Sequence, residues 1–199
     1  PFDQSLIETL CFEDEKSVLD KLEAAHRLFQ DQSKQLPKYE RIQILERLGE
    51  KIAANAERFA REAAAEGGKP IVDSRVEIAR AIDGIKIAVR ELCQMKGEEI
   101  TMGITPSSTN RMAMTIRQPR GVVLAISAFN HPFNLIIHQV IPAIAVGCPV
   151  LVKPAMPTPL SCRTLVNLLY EVGLPKTWCQ MVFCNNDVTG KLVSDPRIS

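Results

Sequence analysis

Short polar segments follow two apolar stretches of the 199-residue chain, and these segments carry side chains suited to chemistry. Asn130 and His131 come shortly after the apolar run 122–126, and Lys153 directly follows the run 149–152. An open α/β sheet binds its ligand at the carboxyl ends of its strands. The residues just after these two runs are therefore the first candidates for a binding site.

The pattern around these segments predicts the elements that position them. The run 122–126 is continuously apolar, as expected of a parallel strand covered on both faces. Pro132 suits the first turn of a helix, and Gly147 closes that helix. The predicted order is a strand at 122–126, a helix to Gly147, a strand at 149–152, a helix at about 159–172 and a strand at 180–183. This order indicates a doubly wound, Rossmann-like parallel sheet over 121–199, although no GxGxxG follows the first strand.

The first 98 residues predict an N-terminal helical segment. Three stripes of apolar residues recur at three- and four-residue steps, over 18–29, 42–59 and 78–92. The second stripe ends at Gly67-Gly68-Lys69-Pro70, where glycine permits a left-handed cap and proline forbids continuation of the helix. We therefore expect three helices before the first strand.

Residues 99–120 change from helical spacing to alternation. Met112, Met114 and Ile116 alternate with other residue types, and the segment before them is rich in turn formers, so the pattern predicts a β-hairpin arm. A two-stranded hairpin is only marginally stable alone. It packs either on another subunit, which would make it an oligomerisation arm, or on its own domain.

Charge and cysteine usage exclude several classes of function. The chain has 24 Lys+Arg and 23 Asp+Glu, and no basic run that would favour nucleic acid or an anionic membrane. The apolar segment 135–152 contains His138, Gln139, Pro142 and Pro149, which argues against a membrane span. Six cysteines without a CxxC motif or a secretory leader predict free thiols in the cytoplasm, and no metal site is expected.

Two motifs resemble those of the aldehyde dehydrogenase superfamily. They are GVVLAISAFNHPFNL at 121–135 and IPAIAVGCPVLVKPAMPTPL at 141–160, and they keep the family's spacing between Asn130 and Lys153. The helices, the segment 66–70 and the arm also fit the family's order, so the resemblance covers essentially the whole chain. It implies that an aldehyde is oxidised to an acid with NAD or NADP. In that mechanism a cysteine thiolate attacks the carbonyl, hydride leaves to the cofactor, and a glutamate-activated water releases the acid.

The resemblance also implies roles for the two central residues. Asn130 would donate its side-chain amide to the oxyanion that forms when the thiolate adds. The alternative is that Asn130 only caps the helix that begins at Pro132. Lys153 would hydrogen-bond the adenosine ribose of the cofactor, and its alternative is an exposed cation at a strand end.

The same resemblance implies roles for further positions. Ile126, Ala128 and Phe129 would line the cofactor cleft, although Phe129 suits the core equally well. Met156 stands where NAD-preferring members often carry a glutamate, so a 2′-phosphate would not be repelled and NADP becomes plausible. The side chains of His131, Asn134 and His138 can share one helical face. That face would line a polar substrate tunnel, or Asn134 and His138 would hydrogen-bond neighbouring loops.

The family's nucleophilic cysteine, general-base glutamate and Gly-Ser phosphate cap all lie beyond the segment that this chain matches. No cysteine of the chain stands in a G-Q-x-C context, so none is assigned as nucleophile. We therefore expect the N-terminal part of an enzyme that forms a homodimer or homotetramer, and a chain that is inactive alone. The alternatives are a short non-catalytic homologue that binds nucleotide or another subunit, and a related reductase of acyl phosphates or acyl-CoA.

Overall fold

Four helices form the first half of the computed structural model, which describes residues 4–199; the first three residues of the predicted segment 1–98 lie outside the described residues. They are α1 Glu15–Gln30, α2 Lys38–Ala54, α3 Ala56–Gly67 and α4 Ile71–Gln94. The expectation of three helices is wrong, because Asn55 interrupts the second stripe with φ −123° and ψ 21°. Its side-chain amide donates to the Lys51 carbonyl, a local bond that competes with the helical ladder. The predicted stop is confirmed, since α3 ends at Gly67 and Gly68 caps it at φ +67°.

A short antiparallel hairpin follows α4. Strand β1 (Glu99–Ile100) pairs with β2 (Ala113–Met114), and Glu99 lies opposite Met114. Large apolar side chains of this segment are exposed, namely Ile100, Ile104, Met112, Met114 and Ile116. The hairpin is thus confirmed, and its use in oligomerisation stays a prediction.

A parallel sheet forms the second half, in the order β3-β4-β5. The strands are β3 Val123–Ile126, β4 Val150–Lys153 and β5 Cys179–Met181, and the helices between and after them are α5 Pro132–Val146, α6 Leu160–Glu171 and α7 Asn186–Val193. After α7 the chain returns to the other edge of β3, where Ile198 forms a parallel bridge with Val122. The strand order therefore reverses at β3, and open α/β sheets bind ligands at such a reversal.

Side chains that alternate along the strands supply two cores, one on each face of the sheet. Val150 and Val152 pack with helices α2 to α6, whereas Leu151 packs with α1 and α7. Helices on both faces explain why the strands are apolar throughout. The expected α/β class with a doubly wound parallel sheet, preceded by helices and a hairpin, is confirmed.

Candidate functional site

The segments after β3 and β4 start side by side at the carboxyl edge of the sheet. Ile126 is opposite Lys153 in the parallel register, and the Ser127 amide donates to the Lys153 carbonyl at 3.0 Å. The Gln139 side chain of α5 donates to the Ile126 carbonyl at 2.9 Å. The fold therefore brings together the two segments that the sequence singled out 27 positions apart.

Lys153 is the last residue of β4 and is only 5% exposed. Its Nζ donates to the Pro154 carbonyl at 3.3 Å, and within residues 4–199 it has no acidic partner. The alternative of an exposed cation at a strand end is wrong. A buried ammonium group that lacks a counter-charge is costly unless a further acceptor satisfies it. The site therefore favours a ligand with hydroxyl or anionic oxygens.

Exposed apolar side chains lie in the segments that follow β3 and β4 at this edge. Phe129 is 62% exposed, Ile126 44% and Met156 43%, and Ala128 is exposed as well. Phe129 is therefore not a core residue of this part of the protein. Exposed apolar side chains beside a few polar groups are typical of a ligand-binding cleft. Met156 brings no negative charge to this edge.

In the described residues, three helices follow strands of the parallel sheet. Protein oxygen atoms accept amide groups at the N-terminus of each. Glu77 of α4 accepts the amides of Phe133 (2.7 Å) and Asn134 (3.0 Å) at the start of α5. Glu66 of α3 accepts the Leu160 and Ser161 amides and the Ser161 hydroxyl at the start of α6.

The start of α7 is capped locally, because the Asn185 side chain accepts the Val188 amide at 3.0 Å. Amide groups at a helix N-terminus are the usual anion site of this class of fold. Protein oxygens already accept two such amides at α5, two at α6 and one at α7, so these amides are not free to bind a pyrophosphate. This agrees with a chain that has no GxGxxG.

Burial dominates the electrostatics of Glu66. Desolvation raises the pKa of this carboxyl above its ordinary value, although the hydrogen bonds from Ser161 and Leu160 act in the opposite direction. Sequence reasoning missed the capping roles of both glutamates. They lie 56 to 95 positions from the amides that they accept, so no local pattern could have identified them.

Asn130 lies in the segment between β3 and α5 and is exposed. The N-cap residue of α5 is His131, which makes no side-chain cap hydrogen bond, and the helix amides are bound by Glu77. The interpretation of Asn130 as a helix cap is therefore wrong. Within residues 4–199 its side-chain amide makes no hydrogen bond, so it is available to a substrate.

The three polar positions predicted for a substrate tunnel lie in different surroundings. The Nδ1 atom of His131 lies 3.4 Å from Lys69 Nζ. Asn134 is 8% exposed, and its buried Oδ1 accepts no hydrogen bond from any residue that the structure describes. His138 is exposed and lies against Gly84 of α4. The tunnel role of these residues stays a prediction.

The buried thiols do not suit nucleophilic catalysis. Burial raises the pKa of Cys179 to about 12 and the pKa of Cys162 well above its ordinary value, so both remain thiols near neutral pH. In the part of the chain that the structure describes, no three His, Cys, Asp or Glu side chains group as a metal site would need. Between residues 4 and 199, no helix combines the length and the apolar character that a membrane crossing requires.

Comparison with known proteins gives matches along the whole chain. The sequence model described as the aldehyde dehydrogenase family matches residues 1–199. A 3-sulfolactaldehyde dehydrogenase of Priestia megaterium is 40% identical over 144 residues, which are 72% of this chain and 30% of that protein.

Two solved structures resemble the fold over nearly its whole length. Aldehyde dehydrogenase 21 from Physcomitrella patens, in complex with the reaction product succinate, superposes with a TM-score of 0.92 at 30% identity and covers 98% of this chain and 41% of that one. Glyceraldehyde-3-phosphate dehydrogenase GapN from Methanocaldococcus jannaschii, complexed with NADP, gives a TM-score of 0.89 at 26% identity and covers 99% of this chain and 43% of that one. The chain thus spans less than half the length of the proteins that it matches.

Proposed function

Because the chain belongs to the aldehyde dehydrogenase family, as an N-terminal portion, we propose that the whole protein oxidises an aldehyde to a carboxylic acid with NAD or NADP. The observation that carries this proposal is Lys153, which is buried at the carboxyl edge of β4 without an acidic partner among residues 4–199, at the same edge as the exposed side chains of Ile126 and Phe129. This combination of one buried donor and an apolar rim fits a nucleotide with ribose hydroxyls and a flat base.

The residues present fit such a cofactor. Lys153 would hold the adenosine ribose, and Ile126, Ala128 and Phe129 would line its cleft. Met156 is exposed and brings no negative charge that would repel a 2′-phosphate, so NADP would be accepted as well as NAD. When bound, the cofactor supplies the hydride acceptor.

Asn130 would act on the aldehyde rather than on the cofactor. A thiolate that adds to the carbonyl leaves negative charge on the carbonyl oxygen, and an amide donor fixed beside that oxygen stabilises the charge. The exposed and uncommitted amide of Asn130 suits this role. The nucleophilic cysteine and the general base are assigned to residues C-terminal to 199, since none of the six cysteines stands in a G-Q-x-C context and the buried thiols Cys162 and Cys179 have raised pKa values.

The substrate class that fits best is a small polar aldehyde. Sulfolactaldehyde, succinate and glyceraldehyde 3-phosphate, which the names of the three similar proteins contain, are all small and anionic. The polar positions His131, Asn134 and His138 on and before α5 are consistent with such a substrate. We also assign a cytoplasmic location, in keeping with six free thiols, and assembly of two or four subunits through the exposed hairpin 99–120.

The experiment that tests this function is aldehyde-dependent reduction of NAD and NADP by the full-length protein, followed by the absorbance of the reduced nicotinamide. We expect turnover with a small anionic aldehyde, and none with the purified 199-residue chain, because the groups that attack the aldehyde act as a unit. Cofactor binding without turnover of any aldehyde would favour a non-catalytic homologue. A product that forms only when phosphate or CoA is present would favour an acyl phosphate or acyl-CoA reductase.

A further inference from the structure

A buried ion pair joins the N-terminal helices to the segment that carries Asn130. Lys69 Nζ contacts Glu77 Oε2, and the side chains are 14% and 0% exposed. Lys69 lies between Gly68, the left-handed cap of α3, and Pro70, the N-cap residue of α4. The backbone of Lys69 is therefore restrained on both sides, which fixes the point from which its side chain extends.

Glu77 divides its two carboxylate oxygens between separate tasks. Oε1 accepts the amides of Phe133 and Asn134, which satisfies the start of α5. Oε2 faces Lys69. The Glu77 carboxylate would cap α5 even without Lys69. Capping of the helix therefore does not account for the position of the lysine.

Lys69 makes two further contacts that lie outside the helix. Its Nζ donates to the Asn130 carbonyl at 3.3 Å and lies 3.4 Å from His131 Nδ1, which therefore accepts when it carries no proton. One ammonium group thus contacts the Glu77 carboxylate of α4, the main-chain carbonyl of Asn130 and the ring of His131, and so links the segment 130–131 to α4. The side-chain amide of Asn130 remains free, while its main chain is held.

We propose that Lys69 and Glu77 are positioning residues for the oxidation, because their ion pair fixes the backbone from which Asn130 presents its amide to the oxyanion. This inference rests on the function proposed above. It predicts that Lys69 acts through Asn130, and that its effect on catalysis disappears when the Asn130 amide is removed. A residue that merely stabilised the fold would have the same effect in both backgrounds.

A double-mutant cycle on the full-length enzyme makes this distinction. Lys69→Met keeps the length of the side chain and leaves Glu77 to cap α5. We expect it to lower kcat by roughly 10- to 100-fold, since small displacements of a reacting group have effects of that order, with the cofactor KM within about threefold of wild type. In the Asn130→Ala background the same substitution should change kcat by less than about threefold. An equal loss in both backgrounds overturns the proposal.

Glu77→Gln provides a second variant in case Lys69→Met does not fold. The amide can still accept from Phe133 and Asn134 but cannot pair with the ammonium group, so the same loss of kcat and the same cycle are expected. Glu66→Gln is the matched control, because Glu66 is also a buried carboxylate that accepts two helix amides. It should lower the melting temperature and leave kcat within about threefold; a tenfold loss in this control would contradict a specific role for the Lys69 pair.

Amide hydrogen exchange separates this inference from the proposed function. In Lys69→Met we expect exchange of the Leu135 amide, which donates to the His131 carbonyl, to accelerate at least about tenfold relative to wild type, while the amides of Leu160 and Ser161 stay unchanged. If the wild-type protein oxidises no aldehyde, the proposed function is rejected and exchange alone decides whether the pair fixes this backbone. Unchanged exchange of the Leu135 amide would overturn it.

Discussion

Replacement of Lys153 by methionine should weaken cofactor binding and leave the fold at least as stable as before. Lys153 is 5% exposed, and among residues 4–199 its ammonium group has one hydrogen-bond partner, the Pro154 carbonyl at 3.3 Å. One charge-assisted hydrogen bond is worth about 1.5–3 kcal/mol, so loss of the bond to a ribose hydroxyl should raise Kd by roughly 10- to 150-fold. Most single substitutions at a buried ligand-binding residue weaken both ligand binding and stability, whereas Lys153→Met should weaken binding alone.

Stability should move in the opposite direction for a physical reason. Methionine has nearly the shape of lysine, and it removes a buried charge that has no acidic partner in the described residues. The free energy of unfolding without cofactor should therefore stay equal or rise by about 1 kcal/mol or more. Excess cofactor should raise the melting temperature of the wild type more than that of the variant.

The assay is calorimetric titration of full-length protein with NADP, combined with thermal unfolding in the absence of cofactor. Lys51→Met is the control, since Lys51 lies on α2 and pairs with Glu171 away from this edge. We expect the control to keep the wild-type Kd. A Kd for Lys153→Met within about threefold of wild type, or a fall in stability that accompanies the lost affinity, would refute the reasoning.

Two further predictions concern cofactor choice and acid stability. Met156→Glu should weaken the binding of NADP at least about tenfold and leave the binding of NAD nearly unchanged, because the new carboxylate repels a 2′-phosphate. Titration with both cofactors checks this, and an unchanged ratio of the two Kd values contradicts it. The Arg197 guanidinium lowers the pKa of Asp195 to about 2, so this carboxylate stabilises the fold above its ordinary pKa of 3.8 and loses that effect as the pH falls towards 2. Asp195→Asn should therefore lower the free energy of unfolding by about 1 kcal/mol near neutral pH and by almost nothing at about pH 2; solvent around the pair keeps this contribution below the value that the full pKa shift would give. Urea unfolding of both proteins across this pH range measures the difference. A difference that does not change with pH would contradict the prediction.

Local patterns predicted the sheet and its helices well, because the physical causes are local. The apolar run 122–126, the proline at 132 and the glycine at 147 each act within a few residues, and β3 and α5 lie there. The break at Asn55 was missed because its neighbours keep helical spacing across it. Helix α7 was also missed, although its N-cap Asn185 is a local signal.

The site was predicted in part. The residues after β3 and β4 follow from strand order, but the burial of Lys153 and the exposure of Phe129 depend on which elements cover them. The carboxylates that bind the starts of α5 and α6 come from α4 and α3, and such long-range contacts leave no periodic trace in a single sequence. The free state of the Asn130 amide follows only once Glu77 is seen to cap the helix.

The most direct test of the account is kcat of Asn130→Ala and Asn130→Ser in the full-length enzyme, measured together with the melting temperature. If the Asn130 amide stabilises the oxyanion, both substitutions should lower kcat by roughly 10²- to 10³-fold. Because Glu77 and not Asn130 caps α5, the melting temperatures should stay near that of the wild type. A kcat within about threefold of wild type for Asn130→Ala, or turnover restored by serine, would contradict the assignment of this edge as the place where the aldehyde reacts.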